Sequence, residues 1–322
     1  MMYKFENHMD IPQIEAFATL EGHTNSIDAV KVDPTGGKKF ISGSHDRTIK
    51  IWDLNTLKCI KTTSEDSKGI WCLDYSPSGK EILSSSGSGV CKIWDAKTGK
   101  ATEKLSAHKG STYWGAYSES GNLMVTGGFD KTIYVWSRKK TSKPALKLIG
   151  NQSKVRCVGF FNDDKYILST SQGGEITIFD AKTGDIVSQQ IFFGEREELE
   201  GNISYCGRAM RKIGGGCQFM TTHQDCVARS WEFSPDDKEF KQLDTFIGHS
   251  DTVRYVDFSP SESRCVTACE DHSLRVWDME SQKGEYLLAG HHDFASAADF
   301  VNDNILISSS WDQTLKIWKL NE

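Results

Sequence analysis

The chain has 322 residues, of which 38% are hydrophobic and 25% are charged, and its net charge is −6 at pH 7. This is the composition of an ordinary soluble protein, and its mild acidity gives no overall electrostatic footprint for DNA or RNA, although a local basic patch is compatible with it. No run of about 18 apolar residues occurs, so we expect no membrane span.

The amino terminus, residues 1–13, is polar and lacks the apolar core of a signal peptide, and we interpret it as a short tail. The nine cysteines are scattered along the chain without a C-x-x-C pair. Without a secretion signal, this pattern favours buried, reduced thiols and a reducing intracellular compartment. We therefore expect a cytoplasmic protein, and a nuclear, cytoskeletal or ciliary association is left open.

The first strong pattern along the chain is SGSHDRTIKIWD at residues 42–53. Its alternation places Ile49 and Ile51 on one face of a strand and Trp52 on the other. Asp46 stands where a turn favours a side chain that can bond its own backbone. The pattern predicts two short strands joined by a tight turn.

The same twelve-residue pattern recurs six more times, beginning at residues 84, 126, 169, 221, 267 and 308. The aromatic residue near its end returns after intervals of 42, 42, 43, 52, 46 and 41 residues. Such a period is the length of one four-stranded blade of a β-propeller. The seven aromatic residues are Trp52, Trp94, Trp136, Phe179, Trp231, Trp277 and Trp318.

A second landmark, a His that follows Gly or Ala, lies 17 to 19 residues before four of these patterns, and a strand-like segment fills the gap. With both landmarks the sequence resembles the WD-repeat family of β-propellers over about residues 14–320. The resemblance implies an all-β fold, a seven-bladed propeller of four-stranded antiparallel blades, as a single domain at residues 14–322. We expect segment 14–20 to pair with the last blade and so close the ring, which removes a free sheet edge.

The resemblance also implies a structural role for the recurring side chains. In such propellers a His before the first strand, the Ser or Thr that opens the pattern, the turn Asp and the Trp form a hydrogen-bonded tetrad. A buried indole N–H needs an acceptor, and a hydroxyl group can both accept and donate. Four complete tetrads are expected: His23–Ser42–Asp46–Trp52, His108–Thr126–Asp130–Trp136, His249–Thr267–Asp271–Trp277 and His291–Ser308–Asp312–Trp318.

Blocks two and four depart from the tetrad pattern. Block two has Asp66 at the His position and Ser88 at the Asp position. Block four has Asn151, Gly173 and Phe179 at the His, Asp and Trp positions. We therefore expect blades two and four to be locally softer than the others.

Block five keeps Thr221, Asp225 and Trp231, but its His position is not evident. Asn202 is one candidate, and it follows a charged insertion at about residues 194–201. We expect a long, mobile loop at the entry to blade five.

No catalytic constellation is found in the sequence. The entry-loop His residues are accounted for by the tetrads, and one turn Asp per repeat indicates turn chemistry rather than an acid–base pair. The GGG run at 214–216 lacks the Lys-Ser/Thr of a phosphate-binding loop, and no zinc-binding spacing occurs. We expect a protein that is not an enzyme and that has no cofactor and no metal.

Two charged runs stand apart from the repeats, the basic SRKKTSK at 137–143 and the acidic EREELE at 195–200. A solvated turn is the simpler interpretation of each, and contact with an oppositely charged partner is the alternative. The alternative gains some weight for the acidic run because insertions in repeat arrays often map to the binding face.

In propellers of the resembled family, three positions of each blade surround the central opening on the top face. Here these positions are rich in aromatic and Arg residues, which are enriched in interface hot spots. The alternative is that some of the aromatic rings fold down and cap the central channel. The candidate partner-binding residues are Asp28, His45, Trp71, Tyr113, Phe129, Lys154, Arg156, Arg254, Phe294 and Trp311.

These observations favour a protein–protein interaction scaffold within a multiprotein complex, binding a peptide or loop across the top face. The partner proteins remain unidentified, because one fold hosts many roles. The alternative is an RNA-associated subunit that uses the same cations and rings for stacking. The overall acidity makes nucleic acid the less favoured direct ligand.

Overall fold

The computed structural model describes residues 11–36, 38–64, 68–192 and 217–320, together with the backbone of residues 204–209. Twenty-nine β-strands and no helix occur in these ranges, which therefore contain no helix able to cross a membrane. The strands form seven sheets of four antiparallel strands each, and one sheet gains a fifth strand. The predicted all-β fold, a seven-bladed propeller, is confirmed.

Each blade is a meander of strands that follow one another along the chain, except that the outer strand of the last blade comes from the amino-terminal region. Two short strands, β1 (Gln13–Ile14) and β2 (Ala18–Leu20), precede blade one. Blade one contains β3 (Ile27–Val32), β4 (Lys39–Ser44), β5 (Ile49–Asp53) and β6 (Lys58–Thr63). Blade two contains β7 (Ile70–Tyr75), β8 (Glu81–Ser86), β9 (Val90–Asp95) and β10 (Ala101–Ser106). Blade three contains β11 (Thr112–Tyr117), β12 (Leu123–Gly128), β13 (Ile133–Ser137) and β14 (Leu146–Leu148).

The remaining blades repeat this order. Blade four contains β15 (Val155–Phe161), β16 (Tyr166–Ser171), β17 (Glu175–Asp180) and β18 (Ile186–Ile191). Blade five contains β19 (Ser204–Ala209), β20 (Cys217–His223), β21 (Val227–Ser234) and β22 (Glu239–Ile247). Blade six contains β23 (Val253–Phe258), β24 (Arg264–Cys269), β25 (Ser273–Asp278) and β26 (Gly284–Ala289). Blade seven contains β27 (Ala295–Asn302), β28 (Ile305–Ser310), β29 (Leu315–Lys319) and β2.

Burial explains the hydrophobic pattern within a blade. In β5, Ile49, Ile51 and Trp52 are all buried, because the strand is covered on both faces by neighbouring blades. Its outer neighbour β6 is mostly exposed. The first strand of each blade contacts the first strands of the blades on either side, so these strands surround the central channel.

Ring closure follows the expected route. In β2, Ala18 pairs with Ile317 and Leu20 pairs with Leu315, both in antiparallel register with β29. The last three residues of the predicted segment 14–20 thus supply the outer strand of blade seven. The hydrophobic core continues across the ring closure, since Leu20 and Trp318 are buried in the same cluster.

The sequence did not indicate a further strand. Gln13 and Ile14 of β1 pair in parallel with Leu287 and Leu288 at the edge of blade six, and the Leu287 N–H donates to Pro12 O at 3.0 Å. The end of the predicted tail, residues 1–13, is therefore part of a sheet, while residues 1–10 lie outside the described residues.

Two aromatic rings cross the central channel. Trp114 of β11 stacks on Tyr255 of β23, with ring centroids 5.9 Å apart and an interplanar angle of 30°. On the side of the loops that join first and second strands lies a cavity of about 630 Å³, lined by Trp114, Lys31, Asp257 and Asp299 among others. We call this side the bottom face, and the side of the His-bearing entry loops the top face.

None of the eight cysteines whose side chains are described forms a disulfide bond. Seven of them are buried, and Cys59 on the outer strand of blade one is exposed. The insertion at 194–201, the acidic run at 195–200, the GGG run at 214–216, Asp66 and Asn202 lie outside the described residues.

Candidate functional site

The tetrad residues of blade one are in hydrogen-bonding contact. The Trp52 indole N–H donates to Ser42 Oγ at 2.8 Å, and Ser42 Oγ lies 2.7 Å from His23 Nε2. His23 Nδ1 lies 2.8 Å from Asp46 Oδ2, which also accepts the N–H of Thr24 at 3.1 Å. The Ser hydroxyl can thus accept from the indole and donate to Nε2, leaving the ring proton on Nδ1 to face the carboxylate. This series of hydrogen bonds joins the third strand, the second strand, the entry loop and the turn of the blade.

Three further blades hold the same arrangement. The distance from the indole nitrogen to the hydroxyl oxygen is 2.8 or 2.9 Å in blades three, six and seven. The distance from that oxygen to His Nε2 is between 2.7 and 2.9 Å, and the distance from Nδ1 to the carboxylate is 2.8 or 2.9 Å. The sets are His108–Thr126–Asp130–Trp136, His249–Thr267–Asp271–Trp277 and His291–Ser308–Asp312–Trp318.

The electrostatics of the tetrads in blades six and seven favour a neutral His beside a charged Asp. Burial lowers the pKa of His249 and His291, and the hydrogen bonds to their Asp partners oppose this only in part. Burial alone would raise the pKa of Asp271 and Asp312, but hydrogen bonds from the His rings and from neighbouring hydroxyl and backbone groups hold it well below its ordinary value. Such a His is already bonded through both nitrogens.

A possible metal-ligand group in blade six is part of this arrangement. His249, Cys269 and Asp271 place one ligand atom each within 4.8 Å of one another. However, His249 already contacts Asp271, and the Asp271 N–H donates to Cys269 Sγ at 3.3 Å, as the Asp46 N–H does to Ser44 in blade one. Burial raises the pKa of the Cys269 thiol, so we assign no metal to this group.

Blade two keeps only one half of the tetrad among the described residues. The Trp94 N–H donates to Ser84 Oγ at 2.9 Å. At the Asp position, the Ser88 hydroxyl contacts Ser86 Oγ at 2.7 Å, and Ser88 Oγ accepts the Val90 N–H at 3.3 Å. The hydroxyl group of Ser88 thus closes the turn, but unlike an Asp carboxylate it carries no charge.

Blade four has a substitute that the sequence analysis missed. The buried carboxylate of Glu175, two residues after the Asp position, accepts the Gln152 N–H at 3.1 Å and the Ser153 hydroxyl at 2.5 Å. Asn151, at the His position, accepts hydroxyl groups of Ser169 and Thr177 at 3.3 and 3.4 Å. Glu is almost never buried without partners. A Glu at the first position of a strand that is expected to be buried could therefore have been noticed in the sequence.

Blade five contains a His that the sequence analysis did not consider. His223 lies two residues after Thr221 on β20, and its Nε2 is 2.7 Å from the Thr221 hydroxyl, which accepts the Trp231 N–H at 2.7 Å. Alternation along the strand places His223 on the face of Thr221, so the pattern could have revealed it. Asp225 instead forms a buried ion pair with Arg229, at 3.0 and 2.5 Å.

On the top face, the candidate residues of blades seven and one form one network. The Trp311 indole N–H donates to Asp28 Oδ1 at 3.0 Å. His45 Nε2 lies 2.6 Å from Asp28 Oδ2, close enough for an ion pair although the two groups are poorly aligned for a hydrogen bond. The short contact with the Asp28 carboxylate raises the pKa of His45, and burial and Arg254 oppose this shift.

The aromatic rings extend the network in both directions around the opening. His45 meets Trp71 edge to face at 4.8 Å between ring centroids, and Trp71 meets Tyr113 in the same way at 5.8 Å. On the other side, Phe294 packs on Trp311 at 5.0 Å. Such edge-to-face pairs stabilise one another by about 1 kcal/mol beyond their buried area. The rings therefore form a preassembled row across blades seven, one, two and three.

Cationic side chains lie over these rings. The guanidinium carbon of Arg156 is 4.6 Å from the centre of Tyr113, and that of Arg254 is 4.9 Å from the centre of a Trp311 ring. Each is also held laterally, Arg156 by Gln172 at 3.0 Å and Arg254 by Glu270 at 2.8 Å. Desolvated contacts of this kind contribute up to about 2 kcal/mol.

Two of the candidates, Lys154 and Phe129, lie at the edge of the row. Lys154 Nζ is 4.5 Å from the centre of the Phe129 ring, and Phe129 is 46% exposed. The other aromatic candidates are half-buried. Trp114 and Tyr255, which stack across the channel, are not part of this row.

Glycines make room for two of the rings. A Cβ atom on Gly87 would lie 3.2 Å from Trp71 Nε1, and one on Gly69 would lie 3.0 Å from the Cα and ring of His45. Any larger residue at either position would displace the adjacent ring. The role of both glycines on the top face is therefore to accommodate their neighbours.

The fold and the tetrads define the chain as a repeat propeller in which one set of side chains ties each blade together. Six segments match the family described as "WD domain, G-beta repeat". The chain belongs to this WD-repeat family, as the resemblance implied. The matched segments are residues 15–53, 57–95, 99–137, 142–180, 240–278 and 282–319, and they leave out 181–239, which includes most of blade five.

Full-length similarity to individual proteins is moderate. The chain is 30% identical over 280 residues to "Nuclear distribution protein nudF" of Aspergillus niger, which covers 86% of this chain and 45% of that protein. It is 25% identical over 330 residues to "Ribosome biogenesis protein WDR12 homolog" of Anopheles gambiae, covering 94% of this chain and 64% of the relative. The homolog of the same name from Ixodes scapularis is 23% identical, with 95% and 56% covered. The chain thus spans 45 to 64% of the length of these relatives.

Proposed function

We propose that this chain is a non-catalytic subunit of a multiprotein complex and that it binds a peptide or loop of a partner protein on its top face. The observation that supports this proposal is the row of half-buried rings and cations formed by His45, Trp71, Tyr113, Arg254 and Trp311. Trp, Tyr and Arg are the residues that dominate the binding energy of interfaces.

The preassembly of the row favours binding. Asp28 holds the ring of Trp311, Gln172 holds Arg156, and Glu270 holds Arg254. Each immobilised long side chain would otherwise cost about 1 kcal/mol on association. A partner would meet side chains that are already ordered, with an apolar anchor on the rings and an acidic group near the guanidinium groups.

The chemistry of the buried groups favours a scaffold over an enzyme. Each tetrad His is bonded through both ring nitrogens, and the neighbouring hydroxyl accepts an indole N–H rather than being free to attack. The names of the relatives, a nuclear distribution protein and ribosome biogenesis proteins, also suggest assembly roles rather than enzymes. An intracellular location remains the prediction from the cysteines.

The experiment is affinity purification with crosslinking mass spectrometry from the native cell, with wild type beside the variant Trp71→Ala/Tyr113→Ala/Trp311→Ala. We expect the variant to lose a defined set of partner proteins whose crosslinks in wild type fall on the top face. The control is Ile60→Ala/Ile191→Ala/Leu243→Ala, which removes exposed apolar side chains from outer strands. Circular dichroism checks that both variants remain folded.

Retention of every partner by the top-face variant would contradict the proposal. Loss of the same partners in the outer-strand control would do so too, because it would move the binding surface to the blade edges. The alternative of an RNA partner at the same cations predicts instead that the lost species is RNA and that its binding weakens steeply with salt.

A further inference from the structure

The charge of this chain is unevenly distributed. Residues 97–147, from the outer part of blade two through blade three, contain ten Lys or Arg and only three Asp or Glu. Residues 225–285, in blades five and six, contain seven Lys or Arg and fourteen Asp or Glu. A net charge of −6 therefore conceals a basic side and an acidic side of the ring.

Most of the basic charge lies on the outer circumference. The lysines in question are exposed, and they stand at the turns between third and fourth strands and on the outer strands themselves. We call this set the lysine rim. It consists of Lys97, Lys100, Lys104, Lys139, Lys140, Lys143 and Lys147.

Contacts between blades make the lysine rim continuous. Lys61 of blade one donates to the carbonyl oxygens of Lys97 and Thr98 at 3.1 and 2.8 Å, which fixes the bottom turn of blade two. Arg138 reaches from the turn of blade three to Glu103 on β10 at 2.6 Å. The turns that carry the lysines therefore lie against the outer strand of the preceding blade.

The carboxylates that contact Arg138 and the one in the blade-three tetrad are already engaged. Glu103 binds Arg138 and also accepts the hydroxyl of Thr141, and Glu81 binds Arg138 at 2.6 Å. Asp130 is bonded to His108 in the tetrad. Within the described part of the chain, none of the rim lysines forms an ion pair, so their charges face solvent.

We propose that the lysine rim binds the phosphate backbone of single-stranded RNA. Clustered exposed lysines fit a polyanion, whereas the cores of protein interfaces are depleted in Lys. The rim is convex and spans two blades, and a flexible strand can follow it. A duplex, which is stiff over about 150 base pairs, would touch it at one place.

The same geometry determines which part of the RNA the lysine rim recognises. No large aromatic side chain is exposed between the rim lysines among the described residues, so bases have no ring on which to stack. Binding is therefore directed to phosphates and is independent of base sequence. RNA is favoured over DNA because it is the single strand that cells contain in quantity. The acidic blades five and six repel the strand and so confine it to the basic side.

The experiment measures fluorescence anisotropy of a labelled 20-nucleotide oligouridine RNA with the full chain between 50 and 200 mM salt. We expect affinity to fall as salt rises, with a slope of about −0.7 per phosphate neutralised. The variant Lys139→Gln/Lys140→Gln/Lys143→Gln/Lys147→Gln should bind at least tenfold more weakly at 50 mM salt and lower the magnitude of the slope by about 2 to 3. The matched control Lys182→Gln/Lys238→Gln/Lys241→Gln/Lys283→Gln removes four exposed lysines elsewhere and should bind as wild type does.

Several results would overturn the proposal: no RNA binding by wild type at 50 mM salt, equal loss in both quadruple variants, or tighter binding of duplex RNA than of the single strand. A poly-glutamate peptide of equal charge that binds more tightly than RNA would indicate an acidic protein instead. DNA of matching length should bind within about threefold of RNA, because the backbone charge is the same. A preference for DNA beyond tenfold would overturn the assignment to RNA.

This proposal is independent of the top-face proposal, and the variants separate the two. Trp71→Ala/Tyr113→Ala/Trp311→Ala should bind the oligouridine as wild type does. If that variant loses RNA binding while the quadruple rim variant retains it, the RNA site is on the top face, and the lysine rim is not the surface.

Discussion

Glu175 accepts the backbone N–H of Gln152 at 3.1 Å in blade four, which is the bond that Asp46 accepts from Thr24 in blade one. When blades one and four are aligned, the two carboxylates stand two positions apart. They nevertheless accept the N–H of the same position in the entry loop. The side chain of Glu175 is longer than that of Asp and extends from the third strand instead of the turn. Blade four therefore keeps a carboxylate at the entry loop although it has no Asp at the usual position.

The first prediction concerns this anchor. Glu175→Ala should lower the free energy of unfolding by about 2 kcal/mol, because it leaves a backbone N–H and the Ser153 hydroxyl without their charged acceptor. Glu175→Gln, which keeps an acceptor oxygen, should cost less. Thermal unfolding checks both, with the exposed Glu239→Ala as control, and an unchanged melting temperature for Glu175→Ala would contradict the role given to the carboxylate.

The second prediction concerns blade two, whose turn is closed by Ser88 without a charge. We expect amides of β8 and β9 to exchange with deuterium faster than those of β24 and β25 in blade six, where His249 and Asp271 complete the tetrad. Blade four should resemble blade six rather than blade two, because Glu175 compensates there. Equal protection in blades two and six, measured by hydrogen-exchange mass spectrometry, would show that the tetrad does not determine local stability.

The third prediction follows from His223 in blade five. Burial, with Arg229 as a second cause, lowers the pKa of His223 to about 3, below the 6.5 of an unfolded His. Below pH 6.5 the unfolded chain therefore binds a proton that the folded chain does not, so stability falls as the pH falls. His223→Gln keeps an acceptor for the Thr221 hydroxyl and should make the melting temperature less dependent on pH between 6.5 and 4. The exposed His272→Gln should leave that dependence unchanged, and a His223→Gln profile identical to that of wild type would refute the assignment.

The repeat period and the tetrad spacing could be predicted because both are periodic in the chain. The sequence did not reveal contacts made by side chains from positions outside the repeated tetrad pattern. His223 acts from the strand of its own Thr221, Glu175 acts from two residues beyond its expected position, and Trp114 reaches Tyr255 across the ring. Such contacts depend on side-chain length and direction in three dimensions, which a one-dimensional alignment of repeats does not contain.

The top-face candidates illustrate the same division. Register placed His45, Trp71 and Trp311 around one opening, but not the acceptor role of Asp28 or the space that Gly69 and Gly87 provide. The aromatic composition was visible in the sequence. The order of the ring contacts depends on how far each blade is rotated from the next, and that follows from the packing of the closed ring.

The fourth prediction tests the His45–Asp28 pair. The contact with Asp28 raises the pKa of His45, so the pair stabilises the top face below the unfolded pKa of 6.5 and is lost as the pH rises through the folded pKa. In an NMR titration, His45 should titrate above 6.5, and Asp28→Asn should lower its pKa. Asp251→Asn, an exposed carboxylate of the top loops in blade six, is the control. A His45 pKa that does not respond to Asp28→Asn would contradict the ion pair.

The fifth prediction concerns the wall of the central cavity. Lys31 of blade one lies 3.0 Å from Asp257 of blade six and 2.9 Å from Asp299 of blade seven, so one ammonium group bridges the blades at the ring closure. Asp299 also accepts the N–H of Val32 at 2.6 Å. Lys31→Met should lower the free energy of unfolding by about 3 to 5 kcal/mol, because it leaves two buried carboxylates without this cation.

The pH dependence of that variant gives the sharper test. Burial raises the pKa of Asp299 to about 7 even with Lys31 present. An acid whose folded pKa is raised is stable when protonated, so its contribution is lost as the pH rises from about 4 through the folded pKa. Lys31→Met should therefore be more stable at pH 5 than at pH 8, and Lys31→Met/Asp299→Asn should recover part of the stability and lose most of this dependence. If the single variant is instead less stable at pH 5 than at pH 8, as the tetrad His residues alone would dictate, Lys31 does not neutralise the buried carboxylates.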